Sequence, residues 1–174
     1  LINMMAGLEK PDEGDIRRSC NISFPLGFMG GVVGKVSAME NSRFIARLYG
    51  LDPDYVESFC RWLCGLGEYF DQPLGTYSAG MRSRFSFALM LALDFDMYLI
   101  DEGMPGTTDA EFNRKAGDPL QERLRTTTII IVSHQAETLE KFARSAAALL
   151  DGQLHMFDTL EEAKQLYDYE THEG

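Results

Sequence analysis

Three cysteines stand in the 174-residue chain, Cys20, Cys60 and Cys64, an odd number with no pairing pattern. A disulfide-stapled secreted domain is thereby excluded, and free thiols fit a reducing compartment. Cys60 and Cys64 are spaced to share a helix face, but no second Cys or His pair accompanies them, so ordinary buried thiols are expected there rather than a metal site. Basic residues are also scarce: 16 Lys and Arg stand against 27 Asp and Glu, for a net charge of -11. So acidic a chain is a poor partner for nucleic acid. No apolar run reaches the roughly 20 residues needed to span a bilayer, so a membrane role has to come through a partner. Repeats and low-complexity segments are missing as well. What is present, at 45% hydrophobic content, suffices to bury the core of one domain over 1–174, with room for a subdomain.

The stretch from Tyr77 to Glu102 organises the rest. It opens with Tyr77-Ser78-Ala79-Gly80-Met81, runs as an apolar helix to Leu93, and closes with Met97-Tyr98-Leu99-Ile100 followed by Asp101 and Glu102. Ser78 has the residue type of an N-cap. It also places a hydroxyl and small residues at a helix start, where free backbone N–H groups and the positive dipole end favour a phosphate. Burying either carboxylate alone would be costly, so Asp101 and Glu102 are expected at the open C-terminal edge of a sheet, where α/β proteins bind ligands. Thr126 to Val132 is a second β-branched run, expected as a strand buried on both faces. It ends in Ser133-His134, which puts His134 at the same edge; His155 and His172 have no such setting.

Around this stretch the punctuation is regular. Leu1 to Ala6 reads as the tail of a helix capped by Gly7, with a turn over Pro11-Asp12-Glu13-Gly14. Asp15 to Ser19 and Ile22 to Phe28 are strand candidates, the second an edge or a strand end because of Pro25. A loop with four glycines spans Gly27 to Gly34. A helical pattern runs from Ser37 through Tyr49 to Gly50, and a second follows Asp52-Pro53, with Val56, Phe59, Trp62 and Leu63 on one side before Gly65. With the helix after Ser78, these make a helical subdomain over 37–93. Gly103 to Asp109 is too rich in breakers to be helical. A helix through Phe112 to Leu124 follows, irregular at Gly117 and Pro119, and another over Ala136 to Ala143. Asp151-Gly152 signals a hairpin between Ala147–Leu150 and Gln153–Phe157, and Thr159 with Glu162 makes a capping box for a last helix.

In this order, joined by one helix, the Ser-headed motif and the Asp-Glu strand resemble the signature motif and the Walker B strand of the ATP-binding-cassette ATPases. The resemblance covers nearly the whole chain. It implies an α/β fold of P-loop NTPase type, a parallel-sheet core incomplete at the N-terminus, with the helical subdomain inserted. It implies ATP and Mg²⁺ as ligands. Asp101 would hold the Mg²⁺, Glu102 would orient and deprotonate the attacking water, and His134 would contact the γ-phosphate. Ser78, with Ala79 and the Gly80 amide, would bind the γ-phosphate held by the other subunit of a homodimer. Asp109 would match the aspartate of the loop that crosses the dimer interface. The helical subdomain, through Phe44 or Tyr49, would dock on an integral membrane permease at the cytoplasmic face of a bacterial inner membrane. Pro25-Leu26-Gly27-Phe28, the run Tyr77 to Arg82 with Met81 where Gln is commoner, and the unusual loop after Glu102 look like the ATPase subunits of capsular polysaccharide exporters.

Two parts of the family pattern are missing. No G-x-x-x-x-G-K-S/T phosphate loop occurs; the nearest approach, Gly34-Lys35, is followed by Val36 and has Met29 where the first glycine belongs. No Gln occurs between residues 1 and 71, although the family's loop before the helical subdomain carries one that reaches the metal and senses the transporter. The expectation is that the sequence starts just after the phosphate loop's last residue. Residues 1–174 alone are then expected to hydrolyse no ATP, to bind it weakly and to aggregate. A non-catalytic interaction module is the alternative reading. A DNA-repair type of cassette ATPase is a further one, but it calls for long heptad segments that the sequence lacks.

Overall fold

Three helices after the glycine loop start at a capping side chain, Ser37, Asp52 or Ser78. The computed structural model describes residues 1–25, 31–101, 110–133, 139–140 and 142–172. Helix α1 is Ile2–Ala6, closed by Gly7 at φ 80°. Helix α2, Ala38–Leu48, opens with a reciprocal box in which Ser37 Oγ accepts from the Glu40 amide and the Glu40 carboxylate accepts from the Ser37 amide. Helix α3, Pro53–Cys64, has Asp52 as its N-cap, Pro53 in the first turn and Gly65 at φ 59° as its stop. Helix α4, Ala79–Ala92, has Ser78 as its N-cap. The chain divides into two compact units, Leu1–Ile130 and Ile131–Gly174.

In the first unit α3 packs between α2 and α4. All eight residues from Phe85 to Ala92 are buried, so α4 is a core helix on every side over its last two turns. Each of its large side chains contributes about 1.5–3 kcal/mol through removal from water. Helix α3 departs from expectation. Its buried face is Val56, Cys60, Leu63 and Cys64, while Trp62 is 49% exposed and forms with Tyr55 and Phe59 a second, outward aromatic row. A helix apolar on two sides offers two candidate faces, and the small thiols fit the α4 seam where the rings do not. Arg43 sits 2.7 Å from both Asp54 and Glu57, and Arg61 sits 2.7 Å from Asp71 and 4.5 Å over the Phe70 ring. These partly exposed pairs contribute little individually, but they fix the register of α2, α3 and the 3-10 turn Gly67–Asp71.

Strand β1, Met97–Asp101, neighbours strand β2, Thr128–Val132, in a parallel arrangement connected through helix α5, Ala110–Thr126. The expected strands at Asp15–Ser19 and from Ile22 are not formed as such. Arg18 reaches back to the Met4 and Met5 carbonyls instead, and only Ile22 bridges Met97 in parallel. Beside that bridge the Ser23 hydroxyl, not a backbone carbonyl, accepts from the Leu99 amide at 2.9 Å, which ends the ladder. Residues 26–28 of that expected strand lie outside the described residues. Strand β2 starts two residues later than expected because the Thr126 and Thr127 hydroxyls bond back to the Glu122 and Arg123 carbonyls and prolong the helix. It is half-buried, not enclosed on both faces.

Helix α5 runs through Gly117 and Pro119 without a break. Proline has no N–H for the carbonyl one turn earlier, so Pro119→Ala is expected to stabilise the protein by up to about 3 kcal/mol. Gly117→Ala, whose added Cβ meets nothing within 4 Å, should contribute roughly 0.5–1 kcal/mol more. Urea midpoints that do not rise for either variant would show that α5 gains nothing from helix propensity.

In the second unit β3, Ala146–Leu150, pairs antiparallel with β4, Gln153–Phe157, across Asp151 at φ 46° and Gly152 at φ 75°, the left-handed pair that a tight hairpin needs. Helix α6, Leu160–His172, packs against the hairpin and starts with the expected Thr159–Glu162 box, both bonds at 3.3 Å. Of the helix expected over Ala136 to Ala143, residues 139, 140 and 142 are helical, Ala143 is not, and 136–138 and 141 lie outside the described residues.

Candidate functional site

The α4–β1 unit presents two exposed ends on a buried body. At one end Ser78, φ -65° and ψ 165°, accepts the Met81 amide on its hydroxyl at 3.2 Å. Ser78, Ala79 and Gly80 are all exposed, and a Cβ on Gly80 would meet nothing within 4 Å. The first-turn N–H groups of Ala79 and Gly80 have no carbonyl to bond within the helix, so they face outward beside a hydroxyl that can also donate. Behind them Tyr77 is buried and donates from its hydroxyl to the Tyr69 carbonyl at 2.7 Å. Burial, with Cys64 and Asp71 nearby, pushes that hydroxyl up to about 12, so it stays a donor. The Arg82 guanidinium donates to the Tyr77 carbonyl. The cap is therefore held rigidly from below.

At the other end Tyr98, Leu99 and Ile100 are at most 1% exposed, and the next residue, Asp101, is exposed. The carboxylate thus leaves the core where the hydrophobic run stops, as its cost of burial requires. At the start of the strand the turn between α4 and β1 is tied to α5: Arg123 bonds the Asp94 carboxylate at 2.7 Å and the Leu91 carbonyl at 3.2 Å. Glu102, Asp109 and His134 lie outside the described residues; α5 begins directly after Asp109 and β2 ends two residues before His134. The structure thus brings Ser78, Ala79 and Gly80 together at one helix start and sets Asp101 at a strand end.

The exposed Asp101 carboxylate suits Mg²⁺, a hard cation that keeps several waters and takes one or two carboxylates along with substrate phosphates. It does not suit a metal held by protein ligands alone. Among the described residues no group of three or more His, Cys, Asp or Glu could form such a site. Cys60 and Cys64 are buried, and burial pushes both thiols well up, so neither is available as a thiolate. Iodoacetamide is accordingly expected to modify exposed Cys20 in the native protein, and Cys60 and Cys64 only after unfolding. Mass spectrometry showing native labelling of Cys64 would mean that the α3–α4 seam opens.

Sequence reading passed over Asn41, whose buried side chain is bonded to Val33, Val36 and Ser37, just before α2. A carboxamide beside Ser42 on the inner face of α2, among Ala38, Ile45 and Ala46, was the available signal.

No protein-family model matches the chain. Over 168 residues it is 41% identical to the ATP-binding protein BexA of Haemophilus influenzae, and 38% identical to the capsule polysaccharide export ATP-binding protein CtrD of Neisseria meningitidis serogroup B. Each alignment covers 97% of this chain and 77% of the relative. A polysialic acid transport ATP-binding protein, KpsT of Escherichia coli, is 38% identical over 94% of this chain and 75% of its own length. Among solved structures, an ATP-binding subunit of an ABC transporter superposes with a TM-score of 0.69 at 18% identity, over 85% of this chain and 62% of that one. That likeness shows the P-loop α/β fold. Identity at this level over almost the whole chain settles the family: the chain belongs to the ATP-binding-cassette ATP-binding proteins, in the group that contains the capsule polysaccharide export subunits.

Proposed function

We propose that this chain serves in an ATP-hydrolysing subunit that drives export of a capsular or other cell-surface polysaccharide, as a homodimer under an integral membrane permease at the cytoplasmic face of a bacterial inner membrane. No helix among the described residues is long and apolar enough to cross a membrane, so the permease supplies the path. The observation that carries the reading is the α4–β1 unit, with a phosphate-ready helix start at Ser78–Gly80 and an exposed carboxylate at Asp101.

In this reading the roles are those that the cassette-ATPase resemblance implies. Ser78 donates from its hydroxyl, and Ala79 and Gly80 from their amides, to the γ-phosphate held by the partner subunit. Asp109 lines the same interface. Glu102 accepts a proton from the attacking water, and His134 donates to a γ-phosphate oxygen as charge builds there. Asp101 would hold Mg²⁺, which when bound neutralises charge on the β- and γ-phosphates. Most of the rate enhancement then comes from placing these groups, since phosphoryl transfer asks for little covalent help from the protein. The helices between 37 and 93 form the subdomain that meets the permease, with Phe44 and Tyr49, 47% and 48% exposed, on its surface.

Deleting the gene in its own host tests the physiological claim. Polysaccharide should still be made but should stay inside the cell, and restoring the gene should return it to the surface. Unchanged surface polysaccharide in the deletion strain would refute the export role.

A further inference from the structure

Asn41 lies at the centre of a hydrogen-bonded knot that joins residues 33–37 to the segment entering the signature motif. It is 1% exposed, on the first turn of α2. Its Oδ1 accepts from the Val33 amide at 2.8 Å, while Nδ2 donates to the carbonyls of Ser37 at 2.9 Å, Val33 at 3.0 Å and Val36 at 3.3 Å. Both ends of the carboxamide are therefore used. The strand of chain that Asn41 holds is gripped from its other side by main chain. The Gly75 amide donates to the Gly34 carbonyl at 2.8 Å and the Leu74 amide to the Val36 carbonyl at 3.0 Å, and Ser37 bridges Pro73 in antiparallel fashion. Contact is so close that a Cβ on Gly75 would lie 3.2 Å from the Gly34 oxygen. The gripping segment continues as the 3-10 turn Leu74–Thr76, then Tyr77, then Ser78.

We propose that Asn41 is a positioning residue that couples residues 33–37 to Ser78, so that a displacement of residues 33–37 is passed to the signature serine instead of being absorbed by slack chain. The proposal rests on the cassette-ATPase reading, in which Ser78 faces nucleotide. Geometry supports a mechanical link because residues 33–37 are bonded on one side to α2 and on the other to residues 73–75. Removing the carboxamide leaves the Val33 amide and up to three carbonyls without that partner, and of the four bonds only the one to the Ser37 carbonyl is fully buried, so the loss is read in the freedom of the strap. Ser42 supplies the matched control. It is equally buried on the same helix, yet its hydroxyl bonds only the Ala38 and Met39 carbonyls of α2 itself.

The test has two arms. In residue-resolved hydrogen exchange of the chain, Asn41→Ala should speed exchange of the Val33, Leu74 and Gly75 amides by on the order of tenfold, with the α4 interior unchanged, while Ser42→Ala should leave Leu74 and Gly75 as they were. Release of Val33 alone, or equal release at Leu74 and Gly75 in the Ser42→Ala variant, would overturn the proposal. In the assembled transporter, Asn41→Ala should lower the permease-stimulated kcat by a similar factor, with KM for ATP and the turnover of the subunit alone unchanged. A fall in basal and stimulated rates together would reduce Asn41 to a stability role and also overturn it. A wild-type transporter without ATP turnover would instead sink the ATPase reading, and the exchange arm would still decide the coupling.

Discussion

Replacing Glu102 with Gln is expected to keep ATP binding and to lower turnover by a factor of about 10² to 10⁴, the range that a positioned general base contributes. Glutamine has the shape of glutamate but no basic carboxylate, so the attacking water would keep its proton while the nucleotide contacts survive. ATP-bound dimers should accordingly accumulate, because hydrolysis is what releases them in the proposed scheme. Single-turnover measurements separate this step from product release. An unchanged single-turnover rate would remove Glu102 from the role of base and move attention to His134, which follows β2.

Ser78→Arg should abolish ATP-induced dimerisation while sparing nucleotide binding to one subunit. The residue is exposed at the α4 start, with outward N–H groups beside it and buried Tyr77 behind it. A guanidinium at that point fills the space the partner's γ-phosphate is to occupy, and it also removes the bond to the Met81 amide. Loss of that cap alone costs roughly 0.5–2 kcal/mol, so Ser78→Ala is the companion variant that carries the cap defect without the bulk. Light scattering in the presence of ATP should find Ser78→Arg monomeric. Normal dimers in that variant would leave Ser78 as an N-cap and nothing more.

The parts of the fold that could be read from sequence are those decided by neighbours in the chain. Thr159 with Glu162, and Asp151-Gly152, each complete their motif within a few residues, and each forms as expected. The exit of Asp101 from the core was legible too, because a carboxylate after three large apolar residues has one affordable direction. Features decided at a distance were not. Which of two apolar faces α3 buries depends on what α4 offers, and the failure of the Ile22 segment to pair further depends on the Ser23 hydroxyl meeting the Leu99 amide. The same holds for Asn41, whose partners become meaningful only once residues 73–75 close over the loop. Of the site residues, the structure describes Ser78, Ala79, Gly80 and Asp101; the roles proposed for Glu102, Asp109 and His134 are those that the resemblance to the cassette ATPases implies.

The outward aromatic row on α3 has an optical consequence. Trp62 is the chain's single tryptophan, half in water and with the Phe59 ring centroid 5.8 Å away. Intrinsic indole emission therefore reports one small patch of surface, already shifted towards the red in the native state. Denaturation changes that environment little, so a fluorescence melt understates the transition that far-ultraviolet dichroism sees in full. Covering the patch, in contrast, dries the indole, moves its emission to the blue and shields it from acrylamide. Nature has placed an unlabelled probe on the outer side of α3, and it is silent to everything else.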